Sequence, residues 1–80
     1  EIHLSINDNK KMNKKILGLN IKAERNRKNF SQAELGEKAN LSPTSISLIE
    51  TGLQLPSALA IFYIAKALEI DINELYKGIK

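Results

Sequence analysis

Two groups of residues carry the chemistry this sequence can do. The first is cationic: nine Lys and Arg residues lie between Lys10 and Lys38, against Glu24, Glu34 and Glu37, for a local charge of +6. Residues 1–9 carry −2 and residues 39–80 carry −1. A basic stripe of this kind is a footprint for a polyanion, most often nucleic acid, and its plain alternative is a solvated lysine face. The second group is hydroxylic: Ser42, Thr44, Ser45 and Ser47 stand in a stretch with no Lys or Arg between Lys38 and Lys66. A hydroxyl needs a neighbouring base to become a nucleophile. The one histidine is His3, and there is no cysteine. Disulfides, thiolate zinc sites and histidine-based clusters are therefore excluded. No carboxylate pair shares a face, and no glycine-rich loop is present to cradle phosphate. The hydroxyls read as helix caps or as hydrogen-bonding groups toward a partner, and no enzyme, metal site or cofactor is expected.

These residues must be positioned by a small scaffold. Eighty residues make one domain, with 42% hydrophobic and 26% charged residues, an ordinary globular balance. No apolar run reaches the ~18 residues of a membrane span, and the first twenty residues do not read as a signal peptide. A cytoplasmic protein is expected.

Residues 1–11 alternate at Ile2, Leu4 and Ile6 and then turn polar. Residues 1–12 read as an N-terminal tail, disordered or non-native, with Met12 as a candidate natural start. Residues 13–78 form the domain. From Lys14 the pattern is helical to about Lys28, through Ile16, Leu17, Leu19 or Asn20, Ile21 and Glu24. Asn29 breaks it. Ser31 and Glu34 form a capping box for a second helix ending at Asn40. Ser42 caps a third helix with Pro43 in its first turn, running to about Thr51 and stopped by Gly52. Pro56-Ser57 opens a fourth, ending near Leu68, and Asp71 caps a fifth that stops before Gly78. Leu35, Ala39, Leu41, Ile46 and Ile49 supply one wall of the core; Ile61, Ile64, Ala65, Leu68, Ile72 and Leu75 supply the other. Only Asn40, Leu41 and Ser42 join helices two and three, which suits the steep crossing of a helix-turn-helix.

The segment SQAELGEKANLSPTSISLIETG, Ser31 to Gly52, resembles the helix-turn-helix of the Cro/phage-repressor (XRE) family. The matching residues are Gln32, Leu35, Ser42, Ile46, Ser47, Ile49, Glu50 and Gly52, with Arg25 before them and Pro56-Ser57 after. The run IAKALEIDINELY resembles the family's last two helices, so the likeness covers about residues 14–77. It implies an all-α, five-helix, lambda-repressor-like domain acting as a DNA-binding transcriptional regulator, a repressor of a bacterial or phage promoter that binds a pseudo-palindromic operator as a homodimer. It implies an Arg25–Glu50 ion pair fixing helix one against helix three. It places Pro43, Thr44, Ser45, Ser47 and Leu48 at base edges, with Pro43 and Leu48 able only to pack, for instance on thymine methyls. It assigns phosphate contacts to Gln32 and the amides beginning helix two, with Ser31, Ser42, Thr51, Gln54, Ser57 and Lys28 as further candidates. The sequence departs from the family in having no Gln, Arg or Lys on the reading face. That departure keeps a second reading open: a helix-turn-helix module that binds another regulator or a toxin. Leu53, Leu55, Leu59 and Tyr63, or Tyr76 with Ile79, are the apolar candidates for the dimer contact, against the plain reading of scattered surface hydrophobes.

Overall fold

The computed structural model describes residues 6–80. It contains four α-helices, α1 (Ile6–Arg27), α2 (Gln32–Ala39), α3 (Pro43–Glu50) and α4 (Ala58–Leu68), followed by a 3-10 helix, Ile72–Tyr76. The fifth helix is thus a short 3-10 element rather than an α-helix. Residues 1–5 of the expected tail, including His3, lie outside the described residues.

The first helix starts at Ile6 rather than Lys14, so residues 6–12 are helical and the expectation of a tail is corrected there. The physical reason is twofold. Residues 6–17 contain no glycine or proline to stop propagation. The extended first half of α1 also has a brace. The Asn13 carboxamide donates to the Lys80 carbonyl (3.0 Å) and accepts from its N–H (3.2 Å). Two turns on, Asn20 Nδ2 donates to the carbonyls of Leu75 and Lys77, both at 2.8 Å. Asn13 and Asn20 therefore clasp the C-terminal segment along α1. Of the alternatives Leu19 and Asn20, it is Asn20 that faces inward, while Leu19 stays 61% exposed.

Each later element starts on a side chain that satisfies an otherwise free amide. Ser31 accepts from the Glu34 N–H and Glu34 accepts from the Ser31 N–H, both at 3.0 Å, closing the capping box. Ser42, Ser57 and Asp71 accept from the amides of Ser45, Ala60 and Asn73. α1 and α2 end where Asn29 and Asn40 adopt left-handed backbone (φ 59° and 58°). α4 ends the same way on Glu69 (φ 57°).

Leu17, Ile21, Leu35, Ala39, Ile46, Ile49, Ile61, Ile64, Ala65, Leu68 and Leu75 form one buried cluster. Leu41 packs against it without being fully buried. Ile72, expected in the core, stands at the first position of the 3-10 helix and sits on the rim, exposed. Two glycines permit the close approach of elements. A Cβ on Gly36 would collide with the Leu41 carbonyl, which comes back over α2 as the chain turns toward α3. A Cβ on Gly18 would collide with the Ile49 carbonyl and lie 2.6 Å from that of Glu50, where α1 crosses the end of α3.

Two outcomes follow. Gly18→Ala overpacks the α1–α3 contact and is expected to destabilise by about 1–3 kcal/mol, a fall in melting temperature of roughly 4–8 °C per kcal/mol. The Glu34 carboxyl is held below the ordinary glutamate value of 4.5, first by the Ser31 backbone N–H and then by the Ser31 hydroxyl. A lowered folded-state value adds stability above the unfolded value and loses it as pH falls. Glu34→Ala is therefore expected to flatten the loss of thermal stability between about pH 5 and pH 3.

Candidate nucleic-acid interface

The site is built around the end of α3. Arg25 on α1 lays its guanidinium across the Glu50 carboxylate, with Nε donating to Oε2 at 2.6 Å and Nη2 to Oε1 at 3.0 Å. Its Nη1 donates to the Phe30 carbonyl at 2.7 Å, in the loop between α1 and α2. Gln32, the first residue of α2, donates from Nε2 to Glu50 Oε1 at 3.1 Å. Both charged side chains are almost fully enclosed, and no buried side-chain polar atom among the described residues lacks a partner. The Glu50 carboxylate, foremost by hydrogen bonding, raises the Arg25 pKa above its ordinary value, so the guanidinium stays charged. One carboxylate thus ties the end of α3 to the middle of α1 and the start of α2. Sequence reasoning paired Arg25 with Glu50 but missed the Gln32 arm. The signal was a glutamine at the first position of α2, read only as a group facing outward.

The remaining candidates fall into distinct settings. Pro43 and Thr44 are exposed at the start of α3, and Ser45, Ser47 and Leu48 are partly exposed along it. The Ser42 hydroxyl donates to Ser45 Oγ at 3.0 Å, and Thr51 Oγ1 donates to the Ser47 and Leu48 carbonyls. Ser31, Ser42 and Ser57 are N-caps whose oxygens already accept an amide. The backbone amides of Gln32 and Ala33 make no hydrogen bond among the described residues, so the α2 N-terminus presents two free donors. Gln54 is exposed in the loop. Lys28 directs its ammonium at Glu69 (3.7 Å). Lys15 and Lys22, seen from sequence only as part of a diffuse positive field, line a cleft of about 320 Å³ with Leu19, Gln32, Glu50 and Thr51. The cations missing from α3 therefore stand beside it, on α1.

The apolar candidates do not form one surface. Leu55, Tyr76 and Ile79 line a groove of about 470 Å³ with Lys10, Asn13, Lys14 and Leu17 of α1. Leu59 and Tyr63 lie around a separate hollow of about 180 Å³ beside Leu41 and Ala60. Leu53 is 74% exposed. Phe62, overlooked in the sequence, is exposed and meets Tyr63 edge to face, ring centroids 5.6 Å apart. It follows Leu59 by three residues, the helical spacing that should have revealed it.

A helix-turn-helix family profile matches residues 21–75, spanning α2, α3, α4 and every residue of the buried core except Leu17. The chain belongs to the XRE-type helix-turn-helix family. It is 38% identical over 61 residues to the ImmF control region 10 kDa protein of Bacillus phage phi105, covering 76% of this chain and 68% of that one. Its fold matches the restriction-modification controller protein C.AhdI from Aeromonas hydrophila with a TM-score of 0.76 at 27% identity, over 78% of this chain and 94% of the other. The chain is a DNA-binding transcriptional regulator, and the proteins it resembles in family and fold are regulatory rather than enzymatic. Among the described residues no helix is long and apolar enough to cross a membrane.

The ion pair gives a direct test. Arg25→Met leaves Glu50 enclosed and without its guanidinium, at an expected cost of about 3–5 kcal/mol. The double change R25M/E50L removes both charges and is expected to recover most of that loss. Urea unfolding of the two variants beside the parent protein measures both.

Proposed function

We propose that residues 13–78 form the DNA-binding domain of a cytoplasmic repressor that binds a pseudo-palindromic operator as a homodimer, α3 lying in the major groove. The observation that carries this reading is the cleft in which Lys15 and Lys22 of α1 meet Gln32, whose backbone amide is free at the start of α2, and Glu50 and Thr51 at the end of α3. A helix in the major groove brings its neighbours against the phosphates on either side. Free amides at a helix start favour an anion there, and two ammonium groups strengthen that preference. The Gln32 side chain is engaged by Glu50, so its backbone N–H is the better phosphate donor. Thr51, Gln54 and the capping serines Ser31, Ser42 and Ser57 flank the same backbone contacts. Lys28, drawn toward Glu69, ranks below Lys15 and Lys22.

The Leu59–Phe62–Tyr63 face of α4 is the preferred dimer surface, because three large exposed side chains gather there one turn apart. The groove of Leu55, Tyr76 and Ile79 is the second candidate, and it is already floored by α1. One domain of this size covers one half-site, and pairing doubles the buried contact with DNA.

Selection from a random duplex pool at about 50 mM and then 200 mM salt tests the proposal. The expected product is a palindrome whose affinity falls with salt at about −0.9 log unit per log unit for each phosphate neutralised. Replacing Lys15 and Lys22 with Ala is expected to make that slope shallower without changing the recovered sequence. Leu59→Asp combined with Phe62→Ser is expected to yield a folded monomer by sedimentation and to weaken operator binding at least tenfold. A dimer that enriches no sequence at either salt would overturn the reading.

A further inference from the structure

On the reading of α3 as the DNA-reading helix, we infer that its specificity rests on the 5-methyl group of thymine, contacted by Pro43, Leu48 and the Thr44 methyl. The inference comes from what α3 has available. Its one charged side chain, Glu50, is enclosed by Arg25 and Gln32. No Lys, Arg, Asn or Gln stands between Ser42 and Thr51, so no side chain on this helix can make a bidentate contact with guanine or adenine. Of its hydroxyls, Ser42 donates to Ser45 Oγ and Thr51 donates to backbone carbonyls. Ser45, Ser47 and Thr44 retain a proton to give. A lone hydroxyl both donates and accepts, and it rotates to suit either partner, so it meets any base edge and discriminates little.

What remains is apolar. Ile46 and Ile49 are wholly committed to the core, but Leu48 is neither in the core cluster nor among the side chains packed against it. The helix thus holds a partly exposed leucine one turn after Thr44, on the same face as that residue, while Pro43 is exposed at the helix start. In the major groove the apolar feature that distinguishes base pairs is the thymine methyl. Burying one methyl-sized group contributes about 0.8 kcal/mol, or roughly fourfold in affinity.

The test uses the strongest duplex recovered from the random pool, resynthesised with deoxyuridine replacing thymidine at one position at a time. Uracil keeps every hydrogen-bonding group and lacks only the methyl. Binding is expected to fall about fourfold or more at one or two thymines in each half-site and to be unchanged elsewhere. Leu48→Ala and Pro43→Ala, each checked for an unchanged melting temperature, are expected to bind the parent duplex more weakly and to lose the penalty for uracil at the position each contacts. A uniformly tolerated uracil would overturn the inference while leaving DNA recognition intact. A uracil penalty that persists in both variants and in Thr44→Ser, which keeps the hydroxyl and loses the methyl, would also overturn it, since the thymine would then be read elsewhere. A pool that yields no sequence would fell the inference together with the reading beneath it. The uracil series needs no variant, so the inference stays testable should either substitution perturb the fold.

Discussion

The orientation of α3 depends on one carboxylate. Glu50 is the last residue of a two-turn helix, and it accepts three hydrogen bonds, two from Arg25 and one from Gln32. An eight-residue helix has little stability of its own. Its direction must be imposed from outside, and a rigid bidentate fork imposes it better than apolar packing, which tolerates sliding. The guanidinium also holds the Phe30 carbonyl, so the loop leading into α2 is fixed by the same group. The two elements of the helix-turn-helix are therefore aligned through α1 as well as through the three residues that join them. Burying such a pair costs desolvation, and its contribution is geometric definition more than net stability.

On the proposed reading, this arrangement divides the labour of DNA binding. α3 commits Ile46, Ile49 and Glu50 to the interior and presents hydroxyls and hydrocarbon outward. The positive charge needed for affinity comes from α1, whose lysines border the same cleft as Gln32 and Thr51. A reading helix without cations gains little from random encounters along the duplex. Its non-specific attraction is then set by the lysines of the neighbouring α1.

Most of the architecture was legible because its signals are local. Ser31 with Glu34, Ser42 with Pro43, and Asn40 encode helix starts and stops through bonds spanning three or four residues. The Arg25–Glu50 pair came from the family resemblance, since nothing local links residues twenty-five apart. What was illegible is non-local in the same sense. The start of α1 at Ile6 depends on contacts with the last residues of the chain. The inward turn of Gln32 depends on where Glu50 lies. The splitting of Leu55 from Leu59 depends on how the loop after α3 folds back. The left-handed Glu69 had no signal at all, because glycine or asparagine is the usual residue there. Phe62 was readable and was missed.

The clasp formed by Asn13 and Asn20 ties α1 to the last residues of the chain. The helix-turn-helix is closed by contacts between near neighbours, whereas Asn13 and Lys80 are separated by 67 residues. Loop closure over that distance gains from the rest of the fold being in place first. The clasp joins exposed groups far apart in the chain, the kind of contact that opens at lower free energy than a buried core. When it opens, the first turns of α1 and the segment after Leu75 come loose together, while α2 and α3 stay locked by Arg25. The two ends of the described chain are thus coupled to each other through Asn13 and Asn20, apart from the Arg25–Glu50 anchor that holds α3.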